Sequence, residues 1–399
     1  MIFSTIMALL IVMAGCARQP ETPRPQNFKA ASHILNAEEG HKNTKDIDKI
    51  YQILSDKAKE EGRSYGWETA AHMVASLGMS GYVAVDSDNQ VDMTCIEKVL
   101  EFCGIVDRGE NGKLTIIVVD SWEAFITYDM ESIGGNVNIT KANHRLDQNG
   151  DFQMVGSISY PASFWHYTEE GYLIFEGSYC SEEYVLTLSD TAEHTAIRVL
   201  PLDKICREFN RKYILPIGYG WNNMFLCNWN EKDYGSLDFY DLFDLFYLKL
   251  YGYTVPYTVE KEDKTESIFL IPEDIFESVI MTYLYIDPKS LRSKTTYFPE
   301  KSSYEYRPRG VYETQYPEIP YPEVVDYQEN HDGTITLLVN AVYPCDNTSR
   351  SYSHRTIVRP LDDGHIQYIS NEMIPPEEIP DTWWRCERLT REEWMGQYP

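Results

Sequence analysis

Residues 145–153 read Arg145-Leu146-Asp147-Gln148-Asn149-Gly150-Asp151-Phe152-Gln153. Asn-Gly between two alternating runs is hairpin chemistry, because the turn needs a positive φ that glycine adopts without a steric penalty. On either side, Asn136 to Ala142 and Phe152 to Tyr160 alternate as half-buried strands do. Moving outward, Leu114 to Val119, Glu123 to Tyr128, Tyr172 to Phe175 and Tyr184 to Leu188 extend the pattern. A second stretch resembles the first: Arg359-Pro360-Leu361-Asp362-Asp363-Gly364-His365-Ile366-Gln367. It sits among Thr334 to Val342, His354 to Arg359 and Ile366 to Ser370, with Asp332-Gly333 as a further turn.

Helical periodicity brackets these strands. Ile47, Ile50, Tyr51, Leu54 and Ala58 recur at helical spacing, and a second helix follows Trp67. Asp92 to Cys103 reads as a third, with Thr94 and Glu97 spaced for a capping box. Leu202 to Phe209 predicts a short helix starting after Pro201. Ser236 to Tyr251 is apolar almost all round and stops at Gly252, so it predicts a largely buried helix. Another opens at Pro272 with Glu273 and Asp274 in its first turn and Phe276, Val279, Ile280 and Tyr283 on one face. The class is α+β, with helices packed on curved antiparallel sheets. Asp92 to Tyr160 and Pro272 to Asn371 are candidates for two related helix-plus-meander units, with the 202–252 helices between them. The competing explanation is that any two hairpins share turn chemistry.

The leader sets the expected address. Ile2 to Met13 is almost wholly apolar and is followed by Ala14, Gly15 and Cys16. That run is shorter than the roughly 20 residues a membrane span needs, and it has the form of a cleaved signal. Val12-Met13-Ala14-Gly15-Cys16 resembles the bacterial lipobox, which implies a diacylglycerol on the Cys16 thiol and stable anchoring by two acyl chains. Met13 replaces the usual leucine, and no Lys or Arg precedes Cys16. The expected organisation is a lipoprotein signal peptide at 1–16, a tether at 17–45 carrying Pro20, Pro23 and Pro25, an N-terminal α+β region at 46–260, and a C-terminal helix-plus-sheet region at 261–399.

Charge narrows the partners. With 35 basic against 62 acidic residues, the net charge of -27 gives phosphate backbones no basic face, so nucleic acid is excluded as a partner. Once Cys16 is set aside, the other seven of the 8 cysteines cannot all pair, and Cys206 and Cys227 sit among apolar neighbours as small hydrophobes.

Motifs that name a chemistry are missing. The chain has no G-x-S-x-G, S-x-x-K, H-E-x-x-H or Walker loop, and Gly218-Tyr219-Gly220 lacks the third glycine of a dinucleotide fingerprint. Glu68 and His72 form a lone helical pair without a third ligand. Asp86 to Asp92 starts like a calcium loop but has Val91 where the turn glycine belongs, which makes it a polar turn. Asp238, Asp241 and Asp244 recur every third residue, as on a solvated helix face. No catalytic, cofactor or metal residue is assigned from sequence. The surface feature that remains is aromatic: Tyr304, Tyr306, Tyr312, Tyr316 and Tyr321 interleaved with prolines, then Trp383, Trp384 and Trp394. Such residues stack on sugars, grasp peptides, or strap a core.

Cys206-Arg207-Glu208-Phe209-Asn210-Arg211-Lys212-Tyr213-Ile214-Leu215-Pro216-Ile217-Gly218-Tyr219, then Asn222-Asn223-Met224-Phe225, resembles a family of uncharacterised lipoproteins of low-GC Gram-positive bacteria. Ser293-Lys294, Tyr306-Arg307-Pro308, Asp332 to Leu337 and Arg359-Pro360-Leu361 are similar to it too. The resemblance implies the membrane address and no activity. The expectation is therefore a non-enzymatic binding or interaction protein, lipid-anchored on the outer face of the cell membrane, with a protein or glycan partner. A secreted hydrolase of wall glycan or peptide, or a structural component of a surface assembly, are the alternatives.

Overall fold

Ile116-Ile117-Val118-Val119 is apolar without alternation, and its surroundings explain why. In the computed structural model, which describes residues 44–61, 66–121, 123–179, 192–256, 268–362, 364–375 and 382–397, this strand is covered on both faces. Helices α1 (Thr44–Glu61) and α2 (Trp67–Met79) precede β1 (Val83–Asp86), and α3 (Ile96–Asp107) leads into a meander of β2 (Gly112–Val119), β3 (Ala124–Ile133), β4 (Asn136–Leu146) and β5 (Phe152–Pro161). β1 adds parallel to β2, and the other pairs are antiparallel. Ile117 and Val119 pack with Ile50, Leu54, Met73 and Leu77 of α1 and α2. Ile116 and Val118 point the opposite way, toward Val99 and Phe102 of α3. Burial on both faces is what removes the period of two from the sequence.

A three-stranded sheet of β6 (Phe164–Tyr167), β7 (Tyr172–Ser178) and β8 (Ala192–Arg198) has a different partner on each face. Leu173 and Phe175 complete the core under α3, whereas Tyr172 and Ile174 pack with Val342 of the C-terminal sheet. Alternation along β7 thus joins the two ends of the chain.

Beyond residue 200 the chain builds a second, larger core. Helix α4 (Lys204–Phe209) continues as a π turn over Asn210–Ile214, and β9 (Trp229–Asn230) and α5 (Phe239–Tyr251) follow. Then come β10 (Phe269–Pro272), α6 (Glu273–Tyr283), α7 (Pro288–Ser293), β11 (Tyr297–Phe298) and β12 (Ser303–Tyr306). The C-terminal sheet is β13 (Tyr321–Glu329), β14 (Ile335–Tyr343), β15 (Thr348–Pro360) and β16 (Ile366–Ile374), with β9 on the β16 edge and α8 (Arg391–Gln397) last. Tyr213, Phe225, Phe243, Phe246, Phe276, Tyr304, Leu337, Tyr368 and Trp384 share this core. The described residues all belong to one unit spanning 32–399.

The α+β class holds, and several local expectations need correction. Thr94 does not cap α3: its hydroxyl donates to the Tyr82 carbonyl at 2.9 Å and accepts from Ala84 N at 3.0 Å, and the N-cap is Cys95 at φ 51°. α4 starts at Asp203, not Pro201, because the Asp203 carboxylate accepts from Ile205 N at 2.7 Å. β1 was not anticipated from sequence. The 1–16 leader with Cys16, the 17–43 part of the tether and the Tyr184 to Leu188 strand lie outside the described residues.

The two look-alike stretches fold alike. Arg145 pairs with Gln153 as Arg359 pairs with Gln367, and the register then shifts at Asn143/His144 and at Ile357/Val358. Each shift leaves one residue of the far strand unpaired, Val155 in one hairpin and Ile369 in the other. The turns close with Gly150 N donating to Asp147 O at 3.1 Å and Gly364 N to Leu361 O at 3.0 Å. Gly171 and Gly333 close two further hairpins in the same way, so turn chemistry alone accounts for the glycine but not for the matched bulges. Both sheets are meanders in chain order. They differ in the fifth strand, which is parallel beside β2 in one and antiparallel beside β16 in the other.

Candidate functional site

Helix α5 carries the groups that organise the candidate site. Asp238 caps it, accepting from Tyr240 N at 2.9 Å and Asp241 N at 3.0 Å. One turn on, the Asp241 side chain is 0% exposed. The solvated face expected from the spacing of Asp238, Asp241 and Asp244 is therefore overturned, because the facing cations come from distant parts of the chain. Arg309 binds Asp241 with both prongs, Nε to Oδ1 at 2.9 Å and Nη2 to Oδ2 at 2.7 Å. Arg388 Nε reaches Oδ1 at 2.9 Å and Arg385 Nη2 reaches Oδ2 at 3.4 Å. Asp244 accepts from Arg388 Nη2 at 2.8 Å and from the Tyr306 hydroxyl at 2.5 Å. Three carboxylates and three guanidiniums thus balance around the fully buried Asp241, as a buried ion requires, with Asp238 and Asp244 reaching toward the surface.

The charges tune one another. Burial opposes the Arg388 charge, but Asp241, Asp244 and Asp238 together outweigh it and raise the guanidinium above its ordinary range. Burial pushes the Asp244 carboxyl upward, with Arg388 and the Tyr306 hydroxyl pulling the other way. Burial, reinforced by Asp244, raises the Tyr306 phenol.

Beside this network lies a cleft of about 370 Å³. Trp221, Leu245, Leu248 and Val255 supply its apolar lining, and Asp241, Asp244, Tyr306 and Arg309 its polar lining. An apolar cleft with a few fixed polar groups is the usual form of a ligand site. Trp221 is the unusual member: its φ is 58° and the residue stays 47% exposed. A bulky residue in the left-handed region is strained by roughly 1–2 kcal/mol. The conformation is held because Trp221 N donates to Gln315 Oε1 at 2.7 Å, and the Arg309 guanidinium lies 5.4 Å from the ring centroid. Leu248 is exposed beside it, as are Tyr251 and Tyr253 just beyond.

A wider depression of about 530 Å³ lies between α1, α3 and β2. Several of its polar groups are already engaged: Lys98 Nζ donates to Gly81 O at 2.6 Å and Thr115 to Asp129 at 2.5 Å. It has no buried charge and no strained residue, so the Trp221 cleft is the stronger candidate.

The residues singled out from sequence fall elsewhere. Glu68 and His72 are exposed on α2. Asp86 to Asp92 is the polar turn expected, with Asp86 accepting from Gln90 N at 3.0 Å and Val91 N at 2.7 Å. Cys206 is buried, and burial pushes its thiol up to about 11; Cys227 is half-buried. Half of the aromatic series straps the core, since Tyr304, Tyr306, Trp384 and Trp394 are buried, while Tyr312 and Trp383 are exposed. Sequence reasoning missed Trp221, Arg309, Arg385 and Arg388. The glycines at 218 and 220 were the available signal of an unusual backbone there. Among the described residues no helix is long and apolar enough to cross a membrane.

A model of a family described as "Family of unknown function (DUF6070)" matches residues 37–387. No curated protein and no solved structure matches the chain.

Proposed function

The chain belongs to this family of unknown function, and we propose that it is a binding protein held on the outer face of a bacterial cell membrane by a lipid on Cys16. The single observation that carries the binding reading is Trp221, kept in a strained conformation with its ring at the cleft. Strain of this kind is concentrated at active sites and ligand clamps. Its partner presents an apolar face to Trp221 and Leu248 and polar groups to Asp244, Tyr306 and Arg309, as a sugar ring or a peptide side chain of a wall or surface component does. The address is supported by the apolar run Ile2 to Met13 and the small residues before Cys16. The chain's acidity suits a protein that engages neither nucleic acid nor anionic headgroups.

Two measurements test the proposal. Fatty-acid labelling should mark the wild type and not Cys16→Ala, and an unlabelled wild type ends the anchoring claim. A panel of wall glycan and peptide fragments should yield a ligand whose retention falls at least about tenfold in Trp221→Ala, a loss of about 1.4 kcal/mol. A fragment bound equally by both forms removes the cleft from the account, and turnover of a fragment replaces the binding reading with the hydrolase.

A further inference from the structure

Three side chains that the sequence keeps far apart meet at the junction of the two halves. His194 lies on β8, directly opposite Glu176 of β7. Cys345 sits in the single 3₁₀ turn Pro344–Asp346 between β14 and β15, closed by Asn347 N donating to Pro344 O at 2.9 Å with Asn347 at φ 53°. Glu318 precedes β13, and its carbonyl accepts from the Tyr343 hydroxyl at 3.4 Å. One imidazole nitrogen of His194, the Cys345 sulfur and a Glu318 carboxylate oxygen all lie within 4.8 Å of one another.

We propose that His194, Glu318 and Cys345 form a site for a borderline-soft divalent cation, Zn2+ foremost. The donor set argues for this class. A thiolate, an imidazole and a carboxylate are the ligands Zn2+ takes, and a thiolate disfavours calcium and magnesium. Two of the donors become anions, so their combined charge matches a divalent ion. The Cys345 Sγ donates to Glu318 Oε2, so the thiol and the carboxylate already face one point. Binding replaces the thiol proton with the metal and releases it to solvent, so affinity rises with pH. The supports are already in place. Glu176 Oε2 stands 3.7 Å from His194 Nδ1, and Asn347 Nδ2 donates to the same Glu176 oxygen, tying the cysteine turn to β7. Three protein donors leave the fourth position of a tetrahedral ion open to water. The site is independent of the membrane address and of the Trp221 cleft.

The test uses the metal-free full chain with Co2+ as a spectroscopic probe and Zn2+ in competition with a chromogenic chelator. One equivalent of Co2+ should give a thiolate-to-cobalt charge-transfer band that Cys345→Ser lacks. Zn2+ should also slow alkylation of Cys345 in the wild type, mapped by peptide mass, which reads the same contact without any variant. A cobalt spectrum without the band, or an alkylation rate indifferent to Zn2+, overturns the proposal.

Discussion

Arg198 Nη1 lies 2.6 Å from Glu323 Oε2, with the two side chains only 7% and 6% exposed, and this pair bridges β8 of the N-terminal half to β13 of the C-terminal half. Glu323 also accepts the Tyr172 hydroxyl at 2.8 Å, so both of its oxygens are engaged.

Removing one member of that pair leaves an uncompensated charge at the junction. Glu323→Ala is expected to lower the unfolding free energy by about 3–5 kcal/mol in urea titrations, while Arg198→Met combined with Glu323→Leu costs far less. A double variant as unstable as the single one refutes the account.

Asp241 faces three guanidiniums, so Asp241→Ala should be among the most destabilising single changes in the chain, again about 3–5 kcal/mol. Because the carboxylate is buried, thermal unfolding of the wild type should keep this contribution between low and moderate salt. Strong screening of the Asp241 effect by salt contradicts the geometry.

Trp221 at φ 58° reverses an ordinary rule. Trp221→Gly should be more stable than Trp221→Ala by about 1 kcal/mol, because alanine keeps the left-handed strain and glycine does not. Both should lose the ligand. Equal stability of the two variants removes the claim of strain.

Two buried imidazoles set the acid limit. Burial holds His144 down at about 4, and burial holds His354 down to about 3 against the pull of Asn371. Each is depressed below the unfolded value, so its contribution is present above about pH 6.5 and is lost as pH falls toward the folded value. Each contributes on the order of 3 kcal/mol over that window. The melting temperature should therefore fall steadily from about pH 6.5 to about 4, and less steeply in His144→Gln. A flat profile across that range contradicts the buried neutral rings.

What the sequence showed was local. Asn149-Gly150 and Asp332-Gly333 marked hairpins because a turn is decided by the residues in it, and Gly252 marked the end of α5 for the same reason. The aspartates of α5 were misread because a spacing of three places them on one stripe without saying what faces it. The guanidiniums that face Asp241 lie 68 to 147 positions away. β1 escaped because four buried residues carry no period. His194, Glu318 and Cys345 converge only through the pairing of β7 with β8 and the return of β14, relations no local pattern records.

The strap that carries Trp384, Arg385 and Arg388 has a consequence for how the molecule is made. The cores built around β2 use residues no later than Val199, so they can close early in synthesis. The larger core draws on residues up to Trp384, and the carboxylates of α5 wait for Arg388. A growing chain therefore holds a finished first half and an open second half until Trp384 and Arg388 have been made. During that interval, bare carboxylates and uncovered aromatic rings stand exposed to whatever accompanies the nascent polypeptide.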